Sequence, residues 1–176
     1  MDWDRLIREE LHTLTPYPPG LREDQVRERC GRSEIVKLSS NEHPAGPFPS
    51  AIAAMSAEFG CLNRYPEGSC EALREKLAAR HGVPVARVGA GAGSNELLRL
   101  VGQVVLRPGD EIVYAWPSFV VYPMVANIFG ATHVKVPLTA DETHDLDAML
   151  AAVTERTRIV FVCNPNNPTG TIVGRD

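Results

Sequence analysis

An α/β fold with a mostly parallel sheet is predicted by two patterns in this chain. Three runs rich in β-branched residues, Glu111-Ile112-Val113-Tyr114-Ala115, Thr132 to Val136 and Arg158-Ile159-Val160-Phe161-Val162, read as buried strands and are separated by helical segments. A helix between successive strands argues for right-handed crossovers and parallel pairing. The last run leads directly into Cys163-Asn164-Pro165-Asn166-Asn167-Pro168-Thr169-Gly170. In open α/β sheets ligands bind beyond the carboxyl ends of strands, so three asparagines held between prolines at such an end are the first candidate site. Asn, Pro and Gly are also ordinary turn residues, and this stretch alone does not separate the two readings.

Composition narrows the class. With 176 residues, 44% of them hydrophobic and 23% charged, the chain can bury a core of its own. A formal charge of -4 leaves no basic footprint for nucleic acid. No apolar run approaches a membrane span, and Met1-Asp2-Trp3-Asp4-Arg5 lacks the apolar core of a signal peptide, so a cytoplasmic location is expected. Cys30, Cys61, Cys70 and Cys163 form no C-x-x-C pair and have no histidine at metal-ligand spacing; they read as free thiols, and no metal is expected.

In order along the chain, Trp3, Leu6, Ile7, Leu11 and Leu14 give a first helix one apolar face, ended by Thr15 to Gly20. A short polar helix is expected over Arg22 to Cys30, with Gly31 as its stop. Ile35 to Leu38 reads as a strand and Ser39 to Pro44 as the loop after it. Pro44, Pro47 and Pro49 mark a linker, and Pro49 suits the first turn of a helix through Ile52 and Met55. A boundary is therefore placed between residues 46 and 47. Ser69 is the expected cap of a helix carrying Leu73 and Leu77 and closed by Gly82, with Tyr65 in the loop before it. Gly91-Ala92-Gly93-Ser94-Asn95-Glu96 opens the next helix, which continues through Leu97 to Val105. Pro108-Gly109-Asp110 turns into the first long strand, Trp116 to Phe119 begins a helix ending near Gly130, and Asp145 to Val153 is amphipathic.

The glycine-rich turn at a helix start offers free amides and the positive dipole end, which suits a phosphate. It is neither the dinucleotide fingerprint nor a P-loop, because the third glycine and the Gly-Lys-Ser/Thr are both missing. Phe119 follows the next strand along the same sheet edge, and Asn167 follows a third. A phosphate cradle, an aromatic face and an amide donor are what a flat phosphorylated cofactor requires.

Taken together, Leu38-Ser39-Ser40-Asn41-Glu42, Asn63-Arg64-Tyr65-Pro66, Gly91 to Glu96, Pro108-Gly109-Asp110 with Pro117-Ser118-Phe119, and Asn164 to Gly170 resemble the N-terminal half of class I and II pyridoxal-phosphate-dependent aminotransferases, and within them the histidinol-phosphate aminotransferases. The resemblance implies a fold type I large domain, three-layer α/β/α and truncated, over residues 47–176. An N-terminal arm and small-domain segment would precede it over 1–46. The cofactor implied is pyridoxal 5'-phosphate, with Ser94 and Asn95 on its phosphate, Phe119 stacked on its ring and Asn167 on its phenolic oxygen. Tyr65 would reach the phosphate of the other subunit of a homodimer, while Tyr17 and Asn41 would lie near the substrate. The departures are His43 and Ala45, where Asn and Leu are usual, and Phe119 in place of the commoner Tyr.

The family's Schiff-base lysine has no counterpart here, since Lys37, Lys76 and Lys135 all lie in other contexts. No catalytic residue is therefore assigned, and the 176-residue chain alone is expected to be inactive. The activity implied for the parent is amino-group transfer between histidinol phosphate and 2-oxoglutarate, in histidine biosynthesis. An aromatic aminotransferase, a related decarboxylase of phosphorylated amino acids, and a non-enzymatic remnant that binds phosphate or a partner stay open as alternatives.

Overall fold

The computed structural model describes residues 3–12 and 20–174. Tyr17 lies outside the described residues. The helices run in the order α1 (Glu9–His12), α2 (Glu23–Cys30), α3 (Pro49–Ala57), α4 (Glu71–His81), α5 (Ser94–Val105), α6 (Val121–Phe129) and α7 (Leu146–Ala151). The strands are β1 (Glu111–Trp116), β2 (Thr132–Pro137) and β3 (Thr157–Phe161). Two compact units result, one made of Met1–Pro16 with Gly89–Asp176 and the other of Tyr17–Val88.

The first unit holds the sheet, whose strand order is β2-β1-β3 with both pairings parallel. Central β1 contributes Ile112, Val113, Tyr114 and Ala115, all fully buried. Alternation along the strand sends them to opposite faces. Ile112 and Tyr114 join Val121, Tyr122, Val125, Ile159 and Phe161 in one core, against which Leu98 of α5 packs. Val113 and Ala115 join Val136 and Met149 of α7 in the other. Helices thus cover the sheet on both faces, the layering expected of parallel strands with apolar residues on each side.

Glycine decides how closely α5 lies on α6. A Cβ built on Gly102 would stand 2.8 Å from both Val125 Cγ1 and Phe129 Cε2. Gly130 ends α6 in the left-handed region at φ 64°, and its amide reaches back to the Ala126 and Asn127 carbonyls. α7 is capped by Asp145, whose side chain accepts from the Ala148 amide.

The far end of β1 from the asparagine loop carries a polar clasp. Glu111, only 3% exposed, accepts from Thr154 Oγ1 at 2.5 Å and from Arg156 Nε at 2.9 Å. The Thr154 hydroxyl first, and then the Arg156 guanidinium, hold the Glu111 carboxyl below its ordinary value of 4.5. His133 is fixed between Tyr114 Oη at 2.8 Å and Asn127 Oδ1 at 2.6 Å. Burial first, and then Lys135, lower its pKa, which keeps the imidazole neutral.

The second unit forms helices with little interior: among its described residues only Ala78 is buried. Three sequence expectations are corrected here. Ile35 to Leu38 does not form a strand, because no described segment pairs with it, and Val36 and Leu38 stand exposed. The cap of α4 is Cys70, at φ 53°, and it makes no side-chain hydrogen bond; the Glu67 carboxylate instead accepts from the Ser69 and Glu71 amides. In the first unit, the helix expected to start at Trp116 begins only at Val121, since Trp116 ends β1 and residues 117–120 form the turn that leaves it. The boundary read between residues 46 and 47 falls inside the second unit, so compactness does not mark it.

Two outcomes follow from this packing. Gly102→Ala forces the Val125 and Phe129 side chains to move and should lower stability by about 1–3 kcal/mol, measured by urea denaturation. Glu111→Gln should destabilise at neutral pH. Because the folded carboxyl is held below 4.5, the gap between the two proteins should persist above that pH and close as pH falls through the folded value. A gap that stays constant between pH 7 and pH 3 would exclude this role for the carboxylate.

Candidate active site

Three connections converge at the carboxyl end of the sheet in the first unit. The turn after β1 brings Pro117, Ser118 and Phe119. The loop after β3 brings Asn164 to Gly170. Helix α5 enters from Gly93, whose φ of 87° lies in the left-handed region that favours glycine.

At the helix start, Ser94 and Asn95 are exposed. Amides in the first turn of a helix have no partner within it, so those of Ser94 and Asn95 face outward with the positive dipole end. Glu96 folds back to accept from the Ala92 amide at 2.5 Å, which holds the glycine turn in place. Gly91 is also tightly packed: a Cβ there would come within 3.0 Å of Glu96 Oε2 and 3.1 Å of Leu97 Cδ2. The turn is thus rigid, small and lined with donors. These are the requirements of an oxyanion site.

Phe119 is half-buried in an aromatic stack. Its ring meets Tyr122 edge-on, with centroids 5.7 Å apart, and Tyr122 lies flat on Phe161 at 4.2 Å. Burial raises the Tyr122 pKa, and Cys163 beside it adds to the effect, so this hydroxyl stays protonated. Phe119, Leu98 of α5 and Cys163 all pack on the same core cluster. Leu98 in the second turn of α5, the Phe119 ring and Cys163 at the end of β3 therefore pack on one face of the sheet.

The asparagines that look alike in sequence have different surroundings. Asn164 is exposed and exchanges two hydrogen bonds with Val173, Nδ2 to the carbonyl at 3.0 Å and Oδ1 from the amide at 3.2 Å. Asn166 is 3% exposed, and its side-chain atoms are fully engaged inside the protein. Asn167 is half-buried, and its side chain makes no hydrogen bond among the described residues. Of the three, only the Asn167 side chain is without a hydrogen-bond partner among the described residues. Ser118 and Asn166, which precede Phe119 and Asn167, are joined by a 2.7 Å hydrogen bond, so the two loops are locked side by side.

Asn41 and Tyr65 belong to the second unit. Asn41 is exposed in a turn at φ 50°, and a 2.5 Å ion pair between Lys37 and Glu42 closes its loop. The Tyr65 ring is fully exposed. Sequence reasoning missed Ser118, His144 and Asn166 as site-building residues, since nothing in their local pattern reports burial.

Comparison with known proteins places these features in a family. The model of the class I and II aminotransferases matches residues 33–176, and the chain belongs to that family. An aromatic amino acid aminotransferase of Thermobifida fusca is 50% identical over 167 residues, covering 95% of this chain and 45% of the relative. A histidinol-phosphate aminotransferase of Moorella thermoacetica is 45% identical over 168 residues, covering 96% and 43%. The crystal structure of histidinol-phosphate aminotransferase from Sinorhizobium meliloti in complex with pyridoxal-5'-phosphate superposes with a TM-score of 0.78 at 25% identity, covering 92% of this chain and 43% of that one. The chain thus spans less than half the length of these relatives. Its fold is part of the type I fold of pyridoxal-phosphate aminotransferases, and the cofactor implied by the family is pyridoxal 5'-phosphate.

The residues present fit one wall of a site for that cofactor: a donor-lined turn, a partly uncovered ring and an unpaired amide. If they serve it, Asn167→Ala and Phe119→Ala should each weaken cofactor binding in the full-length protein. The loss at Asn167 should be roughly 1 kcal/mol, rising to about 3 if the acceptor is charged. Equilibrium titration of the cofactor measures both, and affinity unchanged in both variants would count against this placement.

Proposed function

We propose that these residues form the phosphate-and-ring wall of the cofactor site in an aminotransferase acting on histidinol phosphate, with 2-oxoglutarate as the amino-group acceptor. The observation that supports the reading is a half-buried Asn167 after β3 whose side chain has no hydrogen-bond partner among the described residues, together with the glycine turn that opens α5 at Gly93. When bound, the cofactor supplies an electron sink for breaking bonds at the amino-bearing carbon. The chain's own residues bind and orient. The Ser94 hydroxyl and the amides of Ser94 and Asn95 hold the phosphate, the Phe119 ring stacks on the pyridine and keeps water from that face, and the Asn167 amide donates to the phenolic oxygen. Asn41 and Tyr17 are assigned to the substrate. Tyr65 is assigned to the phosphate of the partner subunit in a homodimer.

Lys37 is ion-paired with Glu42 and Lys135 sits 5.2 Å over the Trp116 ring, while Lys76 is exposed on α4. None is a buried, unpaired amine, the setting a lysine nucleophile requires. The chain by itself therefore binds and orients without completing the reaction. In terms of domains, residues 1–46 would act as arm and small-domain segment and 47–176 as part of the cofactor-binding domain. A second substrate reading is supported by relatives named aromatic amino acid aminotransferases in Streptomyces avermitilis and Thermobifida fusca, 44% and 50% identical. No helix among the described residues is long and apolar enough to cross a membrane.

Assay of the full-length protein with 2-oxoglutarate decides the substrate. Turnover of histidinol phosphate well above that of phenylalanine and tyrosine is expected. The reverse order would establish the aromatic reading, and no transfer from any of the three would remove both. The 176-residue chain alone should show no turnover with any donor.

A further inference from the structure

Apart from Glu111 at the opposite end of β1, the buried polar side chains among the described residues are Ser118, His144 and Asn166. They come from three separate connections and form one hydrogen-bonded group. Asn166 Nδ2 donates to the Pro117 carbonyl at 3.3 Å and to Thr169 Oγ1 at 2.9 Å. A proline carbonyl can only accept, so the amide's orientation is fixed. Asn166 Oδ1 then faces the Ser118 hydroxyl at 2.7 Å and His144 Nε2 at 3.1 Å. An amide oxygen carries no proton, so the hydrogen between them is on Nε2. His144 is 5% exposed, and its Nδ1 is buried without a hydrogen-bond partner.

A second set of contacts ties the His144 segment to the same loop. Thr169 and Thr171 hydroxyls donate to the Glu142 carbonyl at 3.3 Å and 2.7 Å. Within the loop, the Asn166 amide donates to the Thr171 carbonyl at 2.8 Å, and the Gly170 amide to the Asn166 carbonyl at 2.7 Å. The connection between β2 and α7 thus serves as a brace under the loop that presents Asn167.

We propose that His144 is a positioning residue: by donating from Nε2 to Asn166 it holds the Ser118–Asn166 clasp, and the clasp sets the adjacent Phe119 and Asn167 at their spacing across the cofactor ring. The last clause rests on the function proposed above; the clasp itself does not. His144 touches no reacting atom in this scheme. Its effect should fall on the ring-binding residues and leave the glycine turn of α5 untouched, because that turn is held by Glu96 and Ala92 instead.

The test uses His144→Phe, which removes the donor but fills the space, and His144→Gln, whose amide can still donate, in the full-length protein. Amide hydrogen exchange at Asn166 and Gly170 should speed up roughly tenfold in His144→Phe, while exchange at Ile112 to Ala115 stays unchanged. Affinity for pyridoxal 5'-phosphate should drop by about the same factor, affinity for inorganic phosphate should not change, and His144→Gln should recover most of both losses. Unchanged loop exchange overturns the proposal, and so does an equal rise in β1, which would indicate a fold-wide role. If His144→Phe does not fold, Ser118→Ala removes the other donor to the same oxygen and should give the same selective pattern, with the same outcomes for and against. If the unsubstituted protein binds no pyridoxal 5'-phosphate while loop exchange still responds to His144, the cofactor reading fails and the clasp stands.

Discussion

The burial of β1 from Glu111 to Ala115 is the constraint on which the first unit depends. Ile112 to Ala115 have no exposed surface, so both faces of the strand must be covered and both edges paired. A single β2-β1-β3 sheet with α5 and α6 on one face and α7 on the other meets that demand. Burial of a Val, Ile or Tyr side chain contributes on the order of 1.5–3 kcal/mol, so this one strand organises a large share of the interior. The close approach at Gly102 and the polar clasp at Glu111 are consequences: the first brings α5 near enough to cover the sheet, and the second satisfies the carboxylate that begins the buried strand.

Once β1 is central, the connections leaving its carboxyl end and that of β3 emerge side by side. They cannot pair as strands, because their prolines lack amide donors, so their polar groups must find side-chain partners. Asn166 supplies them, spending both ends of its amide inside the protein. Its neighbour Asn167 is left half-buried, with no side-chain hydrogen bond among the described residues. Rigidity in one asparagine is what makes the next one available, a division of labour seen where binding groups sit on loops held by a fixed scaffold.

The second unit contrasts with the first. Its helices have good local signals: Pro49 in the first turn of α3, and Gly31 and Gly82 in the left-handed region after α2 and α4. Yet Leu38, Phe48, Phe59, Leu62 and Tyr65 remain exposed. Local propensity suffices to form these elements without giving them an interior.

Much of the architecture was legible without coordinates, because it rests on short-range chemistry. The three strands of the sheet announced themselves by β-branched runs, the stops of α2, α4 and α6 by glycine, and the helix start at Ser94 by the glycines before it. Membership in the aminotransferase family was legible too, since its motifs are contiguous stretches. What only tertiary structure decided depends on residues far apart in sequence. Ile35 to Leu38 has the composition of a strand and lacks a neighbour to pair with, which no local pattern reports. Asn164, Asn166 and Asn167 are chemically identical, and the separation of an exposed, a buried and an unpaired amide comes from Ser118, 48 positions away, and His144, 22 away. Hydrogen bonds across such distances form only after the sheet has brought the loops together. The sequence therefore specifies which groups are present, and burial decides which of them are engaged inside the protein and which are not.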